Sequence, residues 1–522
     1  MCTHLRRDRS KRRTRDLLQP LAGLHVASMI DRSRYDVVLH HEDWHGPFDT
    51  AQESIYDIVF LSGLHADFDR MRQLSYHFKR HGALVVAGGS FCSLFPEFAS
   101  RFFDAVCAGG IESVADVMAD FERGRVREIY RSPQTRSANH RVDYRLLRQC
   151  GIDLPVHLVE SSRGCSFRCK FCVIPAEGAR HAPYVVNAVE AAIDDAIAAS
   201  PWYSIGSLHP ALWFIDNNFS DSRERLLDMC DRLQRNRKVR AWGALVTQNV
   251  LKDRELIRHM AAHKCRALFA GVESLDPSFL RRQNKKQNLS NCDSVVSDIL
   301  YAESLGICIT YAYLFDPRIS TTDDMRRQIR NLVDSPGLPM PAFFSMLIPL
   351  AGTEDFCESA QRRELRPNLR LRELDGETIA YANLADTDDR MSEFMRTLSA
   401  CPAKLVSRWR MIWSTVCRIR NARRLNPFHW YIICASNFRF FRFAREYRSA
   451  TPRSYLAGND PLDPQYLEFP PDISAHDRAL YFDPVMITDA RGELAEWLSP
   501  RSVGFRAQKD EAMADARAVQ FE

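Results

Sequence analysis

The sequence predicts an α/β protein in three parts: a doubly wound parallel sheet, an open barrel of about six β/α units, and a mostly helical C-terminal region. Three observations lead there. Short apolar runs alternate with helix-length stretches from about residue 18 to 130, and again from about 150 to 360. Several runs end in glycine or serine, small residues that let a ligand approach the backbone at the carboxyl ends of strands. Beyond about residue 370 the alternation fades into segments rich in arginine and aromatic residues.

In the first part the strands are read as Tyr35–Leu39, Asp57–Leu61, Ala83–Ala87 and Phe103–Cys107. Their ends carry Ser62-Gly63, Gly88-Gly89-Ser90 and Gly109-Gly110. In the second part a strand near Val156 is followed by strands at Ala211–Ile215, Val239–Val246, Arg266–Gly271, Ile307–Phe315 and Phe343–Ile348. Helices at Arg223–Arg235, Asp253–His263, Cys292–Leu305 and Thr322–Val333 separate them. Six such units are too few to close an eight-fold barrel but suit one with a lateral mouth. In the third part, residues 370–522, Arg408–Arg424 and Trp430–Tyr447 read as helices forming a cap, followed by a proline-punctuated extended tail. Residues 1–17 form a basic tail.

A chain of 522 residues is too long for one ordinary core. Apolar content of 45% and charged content of 26% are those of a globular protein. No run is long enough to span a bilayer, and the arginine-rich start lacks the apolar stretch of a secretory signal. Fifteen cysteines without even spacing suit a reducing compartment, so a cytoplasmic location is expected. The net charge of +5 is small for this length and does not point to nucleic acid as a partner.

The chemistry is concentrated in Cys165, Cys169 and Cys172, a C-x3-C-x2-C run after the turn Ser161-Ser162-Arg163-Gly164. Soft thiolates select iron–sulfur clusters, zinc or copper(I). A structural zinc site needs a fourth Cys or His at close spacing, and none follows. Three thiolates hold three corners of a cubic cluster and leave the fourth iron open to a small molecule.

This loop, with Phe171 before its last cysteine, resembles that of the radical S-adenosylmethionine (radical SAM) superfamily. The resemblance implies a [4Fe–4S] cluster on Cys165, Cys169 and Cys172, S-adenosylmethionine chelated at the open iron, and a 5′-deoxyadenosyl radical that abstracts hydrogen from the substrate. It also implies a flavodoxin- or ferredoxin-type reductant. The first part resembles the cobalamin-binding domain that precedes many of these barrels, with Ser62, Gly63, Gly88, Gly89 and Ser90 at the positions that line the cofactor. The D-x-H-x-x-G motif, whose His would bind cobalt, is missing; Asp43-Trp44-His45-Gly46 echoes it only in part, and His45 is read as an ordinary surface turn. Cobalamin is therefore expected without a lower histidine ligand, against a rival in which the domain only shapes the cavity.

Asp216-Asn217-Asn218-Phe219 resembles the F-x-D-D-N-F segment of the cobalamin-associated subfamilies, which implies contact with the S-adenosylmethionine amino group. Gly271-Val272-Glu273-Ser274 resembles their G-I-E-S strand end, placing Glu273 and Ser274 near the ribose or carboxylate. Pro349-Leu350-Ala351-Gly352-Thr353 resembles their P-x-P-G-T turn, with Gly352 close to the adenine. Arg281, Arg282, Lys285 and Lys286 read as solvated helix charge, against a rival in which they neutralise an anionic substrate.

The expected function is methylation or rearrangement of an unactivated carbon in a natural product, lipid or tetrapyrrole. The rivals are a cobalamin-independent radical cyclase or oxidoreductase and, in another class, a non-catalytic iron–sulfur sensor. The aromatic and basic C-terminal helices also suit a membrane surface or a lipid pocket.

Overall fold

The computed structural model describes residues 20–498 except 52–54, 133–140, 150–155, 179, 201–207, 291–293, 401–403, 422–432, 435–436, 438–453 and 460–468. Its first sheet has four parallel strands: β1 (Ile58–Ser62), β2 (Leu84–Gly88), β3 (Ala105–Gly109) and β4 (Ile129–Ser132). Helices cover both faces. Phe68, Met71, Leu74 and Phe91 pack on Leu61, Val85 and Ala87, while Val117 packs with Val86, Ala105 and Tyr130 on the other side.

Two expectations for this sheet are corrected. Its strand order is sequential, β1-β2-β3-β4, so the order reversal of a doubly wound sheet is absent among the described strands. Tyr35–Leu39 is not a strand. Leu39 and Val37 instead join a small separate core with Leu21, Leu24, Val142, Tyr144 and Leu147, which satisfies their apolar pattern without a ladder. β4 was not anticipated, because Ile129-Tyr130-Arg131-Ser132 offers only two apolar residues.

The second sheet is parallel and ordered β11-β10-β9-β8-β5. Its members are β5 (Val156–Val159), β8 (Ala211–Phe214), β9 (Ala241–Thr247), β10 (Cys265–Gly271) and β11 (Cys308–Thr310). A separate parallel pair, β12 (Ala312–Phe315) and β13 (Phe343–Met346), continues the array. The single strand expected over 307–315 is divided at Tyr311, where pairing passes from β10 on one side to β13 on the other. The Tyr311 ring is buried and its hydroxyl donates to the Pro339 carbonyl at 2.9 Å, which fixes the break. Among the described residues no ladder joins β5 to β13, so the array is open.

The helices start where capping chemistry allows. Ser222, Asp253, Thr321 and Thr353 each accept a backbone N–H from the first turn of the helix that follows. Even-numbered strand residues, Leu212, Phe214, Trp242, Ala244, Val246, Leu268 and Ala270, pack beneath these helices. The odd-numbered face looks inward, with Trp213, Leu245 and Phe269 only partly buried and Phe343 exposed.

The described residues of the C-terminal region include both helices and long irregular segments. Helices Asp388–Ala400 and Arg408–Asn421 lie against helices Val295–Ser304 and Thr322–Asp334, so they add a layer outside the second sheet. Arg408–Asn421 is anchored by the buried pair Arg418–Glu303, at 2.6 and 2.7 Å, and leaves Trp409, Ile412, Trp413 and Val416 exposed. Residues 365–382 and 469–498 are largely irregular and complete the core under the first sheet, through Leu365, Leu369, Leu371, Leu374, Tyr481, Ile487 and Leu498. Arg372 and Arg72 clamp Asp69 from opposite sides at 2.6 and 2.7 Å, binding this segment to the helix Phe68–Arg80. The basic tail 1–17 and most of the Trp430–Tyr447 segment, with Phe438, Phe440, Phe441 and Phe443, lie outside the described residues. No helix of the described residues is long and apolar enough to cross a membrane.

Candidate active site at the cysteine loop

The loop leaves the sheet through a two-residue antiparallel pair, β6 (Ser162–Arg163) with β7 (Ala182–Pro183). Between them come Cys165, Cys169 and Cys172, all partly buried and none in a disulfide. Three soft thiol donors on one short loop suit an iron–sulfur cluster. Burial pushes the Cys172 thiol up to about 12 and raises Cys165 as well, a shift that a bound metal would offset by favouring the thiolate.

The loop is held from three directions. The Lys170 N–H donates to the Gln283 carbonyl and the Lys170 carbonyl accepts from the Asp355 N–H, both at 3.0 Å. The Ser166 N–H and hydroxyl donate to Asp221 at 3.1 and 2.6 Å. Gln287 donates to the Cys169 sulfur at 3.5 Å. Below lies a buried network in which Asp355 takes hydrogen bonds from Gln283, Arg318 and Tyr381.

Asp216, Asn217 and Asn218 sit at the end of β8, but they brace the loop from behind. Both Asp216 oxygens are used: one accepts the Ser161 N–H at 2.7 Å, the other the Ser161 and Ser162 hydroxyls at 2.6 Å each. Burial raises the Asp216 carboxyl to about 6 in spite of these donors. Asn217 accepts the Gly164 N–H at 2.9 Å, and Asn218 is shared between Ser220 and Asp221. Gly164 has φ +76°, and a Cβ there would meet the Arg180 carbonyl oxygen at 2.1 Å, so only glycine fits this neck.

Glu273 and Ser274 follow β10 near the loop. Glu273 holds a left-handed conformation, φ +57°, and its Oε1 pairs with Lys285. Its Oε2 is buried without a hydrogen bond, so that oxygen remains an available acceptor. Lys285 is almost fully buried and its ammonium lies 5.7 Å from the centre of the Phe171 ring, so it is no solvated helix charge. Arg281 and Lys286 are exposed, as read from the sequence, while Arg282 is partly covered beside Asp316 and Glu364. The Ser274 hydroxyl accepts the Asp276 N–H at 3.1 Å, a turn-forming role.

Gly352 is at φ +92°, and a Cβ there would meet Leu94 at 3.0 Å and Phe95 at 3.4 Å. The residue therefore packs against the first domain. Beside it, the buried His65 ring bonds the Ala351 carbonyl at 3.1 Å, and burial pushes that imidazole down to about 4, which keeps it neutral. The small strand-end residues cluster. A Cβ on Gly89 would meet the Gly63 carbonyl at 2.7 Å and the Ser62 hydroxyl at 3.4 Å, and Gly88 lies beside Cys107. Ser90 donates to Glu177, just beyond Cys172, which ties this edge to the cysteine loop. His45 lies on a short helix with its Nδ1 against the backbone of His41.

Gln283, Gln287, Asp221 and Asp355 join the site without a signal in the sequence, and Lys285 joins it in place of the surface charge expected there. Asn284, between Gln283 and Lys285, turns left-handed.

No protein-family model matches the chain. It is 23% identical over 348 residues to bacteriochlorophyllide d C-8(2)-methyltransferase of Chlorobaculum tepidum, covering 64% of this chain and 75% of that one. It is 24% identical over 356 residues to bacteriochlorophyllide d C-12(1)-methyltransferase of the same organism, covering 66% and 74%. To hopanoid C-2 methylase of Rhodopseudomonas palustris it is 23% identical over 254 residues, covering 45% of each chain. Its fold is similar to that of the cobalamin-dependent S-adenosylmethionine radical enzyme OxsB with aqua-cobalamin and S-adenosylmethionine bound, with a TM-score of 0.53 at 14% identity over 81% of this chain and 69% of that one. The chain thus resembles these methyltransferases in sequence, and its parallel α/β architecture, with the cysteine loop at one strand end, is similar to that of a cobalamin-dependent S-adenosylmethionine radical enzyme.

Proposed function

We propose that this enzyme is a cobalamin-dependent methylase acting on an unactivated carbon of a bulky, largely apolar polycycle of the tetrapyrrole or hopanoid kind. When bound, the cluster, S-adenosylmethionine and corrinoid supply the radical and the methyl group. The observation that carries the proposal is the facing of two edges. The glycine- and serine-lined end of the first sheet meets the segment just beyond Cys172 through Ser90 and Glu177, leaving small residues where a flat macrocycle needs room.

The protein's own residues then have distinct tasks. Cys165, Cys169 and Cys172 hold three irons. Asp216, Asn217 and Asp221 fix the loop that carries them. The available Glu273 oxygen accepts a hydrogen bond from the sulfonium donor's ribose or ammonium, with Lys285 holding that carboxylate in place. Trp213, Leu245, Phe269 and Phe343 offer an apolar inner wall that orients a hydrophobic ring system and excludes water from a radical.

In this reading β5 and β8–β13 work as a partial (β/α)6 barrel over about 150–360, behind a cofactor domain over 18–130. The electron comes from a flavodoxin- or ferredoxin-type protein. The exposed Trp409, Ile412, Trp413 and Val416 stripe, flanked by Arg408 and Arg410, supports contact with a lipid surface. The two bacteriochlorophyllide methyltransferases and the hopanoid methylase, all named for polycyclic substrates, support the substrate class.

The test is anoxic reconstitution of protein expressed with cobalamin, followed by reduction with S-adenosylmethionine carrying a deuterated methyl group and either acceptor class. Expected are corrinoid absorbance, 5′-deoxyadenosine and labelled product. An intact cluster that yields no deoxyadenosine would overturn the proposal. Turnover by corrinoid-free protein would remove cobalamin from it.

A further inference from the structure

Away from the cysteine loop, on the barrel's outer surface, helices Arg223–Arg235 and Arg254–Ala262 pack side by side. Asp231 on the first faces His259 and His263, one turn apart at the end of the second. Each histidine places its Nε2 at 3.3 Å from the same oxygen, Asp231 Oδ1, and the two rings stack with centroids 3.9 Å apart.

That distance is long for a hydrogen bond between imidazolium and carboxylate, which closes to about 2.7–2.9 Å. It matches the edge of a tetrahedron, roughly 3.3–3.4 Å, whose centre lies about 2.0–2.1 Å from each corner, the usual length of zinc–nitrogen and zinc–oxygen bonds. The protons agree. His263 Nδ1 lies 2.7 Å from the His259 carbonyl, which can only accept, so Nδ1 carries the hydrogen. His263 Nε2 is then the ring nitrogen left to face the Asp231 carboxylate. His259 Nε2 is buried with no hydrogen-bond partner. The three ligand atoms lie within 4.8 Å of one another, and the stacked rings must swing apart about their side-chain bonds for both Nε2 atoms to meet one ion.

We propose that Asp231, His259 and His263 bind a divalent borderline metal ion, zinc foremost, with a solvent molecule completing the tetrahedron on the exposed Asp231 side. Two imidazoles and one carboxylate are the donor set such ions favour over magnesium or calcium. The backbone carbonyl behind His263 is the outer partner that fixes a ligating imidazole. The site is prepared before metal arrives: Lys264 Nζ bonds the carbonyls of Leu233, Gln234 and Asn236 at 2.9–3.0 Å, joining the same two helix ends. The Trp242 indole donates to the His263 carbonyl at 2.6 Å and packs on Phe219, so the ion clasps the outer helices to β9.

The test uses cluster-loaded protein, whose three loop cysteines are already occupied. Zinc is titrated against a chromophoric chelator, with iron and sulfide measured before and after, and cobalt(II) is added separately to read visible absorption. The native chain is expected to take one equivalent of zinc, show tetrahedral cobalt bands and melt at a higher temperature with zinc. His259→Gln/His263→Gln should lose all three responses. Asp231→Asn, at an exposed position that leaves packing intact, should weaken zinc binding by about tenfold or more. Equal zinc stoichiometry and affinity in the native chain and both variants would overturn the proposal, as would a native chain that takes up no zinc.

Discussion

Replacing Gly164 by alanine tests whether the neck of the cysteine loop sets cluster binding. The residue has φ +76°, a conformation that costs an alanine about 1–2 kcal/mol. The larger effect is contact. The new Cβ would lie 2.1 Å from the Arg180 carbonyl oxygen and 2.5 Å from its carbon, about 0.9 Å inside the closest approach a Cβ tolerates. Neither atom can rotate away, since both are backbone. Residues 163–165 must therefore separate from 180–182 by close to 1 Å, which breaks the two-residue pair of β6 with β7 and the Gly164–Asn217 hydrogen bond. Cys165 is the next residue, so the displacement passes directly to the first sulfur ligand. After anoxic reconstitution, Gly164→Ala should hold less than half the iron and sulfide of the native protein and make correspondingly less deoxyadenosine, with circular dichroism unchanged. Native iron and sulfide content with native turnover would refute the argument.

Asp216→Asn separates charge from hydrogen bonding. The folded Asp216 carboxyl sits near 6, above its unfolded value near 4, so the folded state binds the extra proton between those limits. Its contribution to stability is present below about pH 4, falls as pH rises toward 6, and is gone above. Between pH 5 and 7 the native protein should lose about 1 kcal/mol that the Asn variant does not lose, read from denaturant unfolding at both pH values. Parallel pH profiles would disprove this. Arg418→Met strands the buried Glu303 carboxylate and should cost about 3–5 kcal/mol, seen as a large drop in melting temperature that Arg418→Met/Glu303→Leu recovers in part. A single variant as stable as the native chain would contradict that assignment.

The alternation of Leu212-Trp213-Phe214, Val246-Thr247 and Ala270-Gly271 with capped helices was legible because both periods are local and strong. The cysteine spacing was legible for the same reason, since a cluster loop is short. The split at Tyr311 was not legible: it depends on which neighbour each half of one apolar run meets. Tyr35–Leu39 has a strand's composition but packs against Leu21 and Tyr144, a choice made by distant residues. Asp216 was found at the correct strand end, yet its task is decided by two serines far back in sequence. Lys285 looked like surface charge because its partner, Glu273, depends on a left-handed turn that composition does not announce.

The hydrophobic underside of the first sheet is sealed by Leu365, Leu369, Tyr481, Ile487 and Leu498, and Arg372 reaches across to Asp69. A ribosome therefore delivers β1–β4 long before it delivers the residues that close them. Until the residues up to Leu498 have emerged, Phe68, Phe78 and Val85 lack part of their core. A fragment cut after residue 360 should be sticky and hard to keep in solution, and fusions or tags that pull on the C-terminal strap will be felt first in the half of the protein that carries the first sheet.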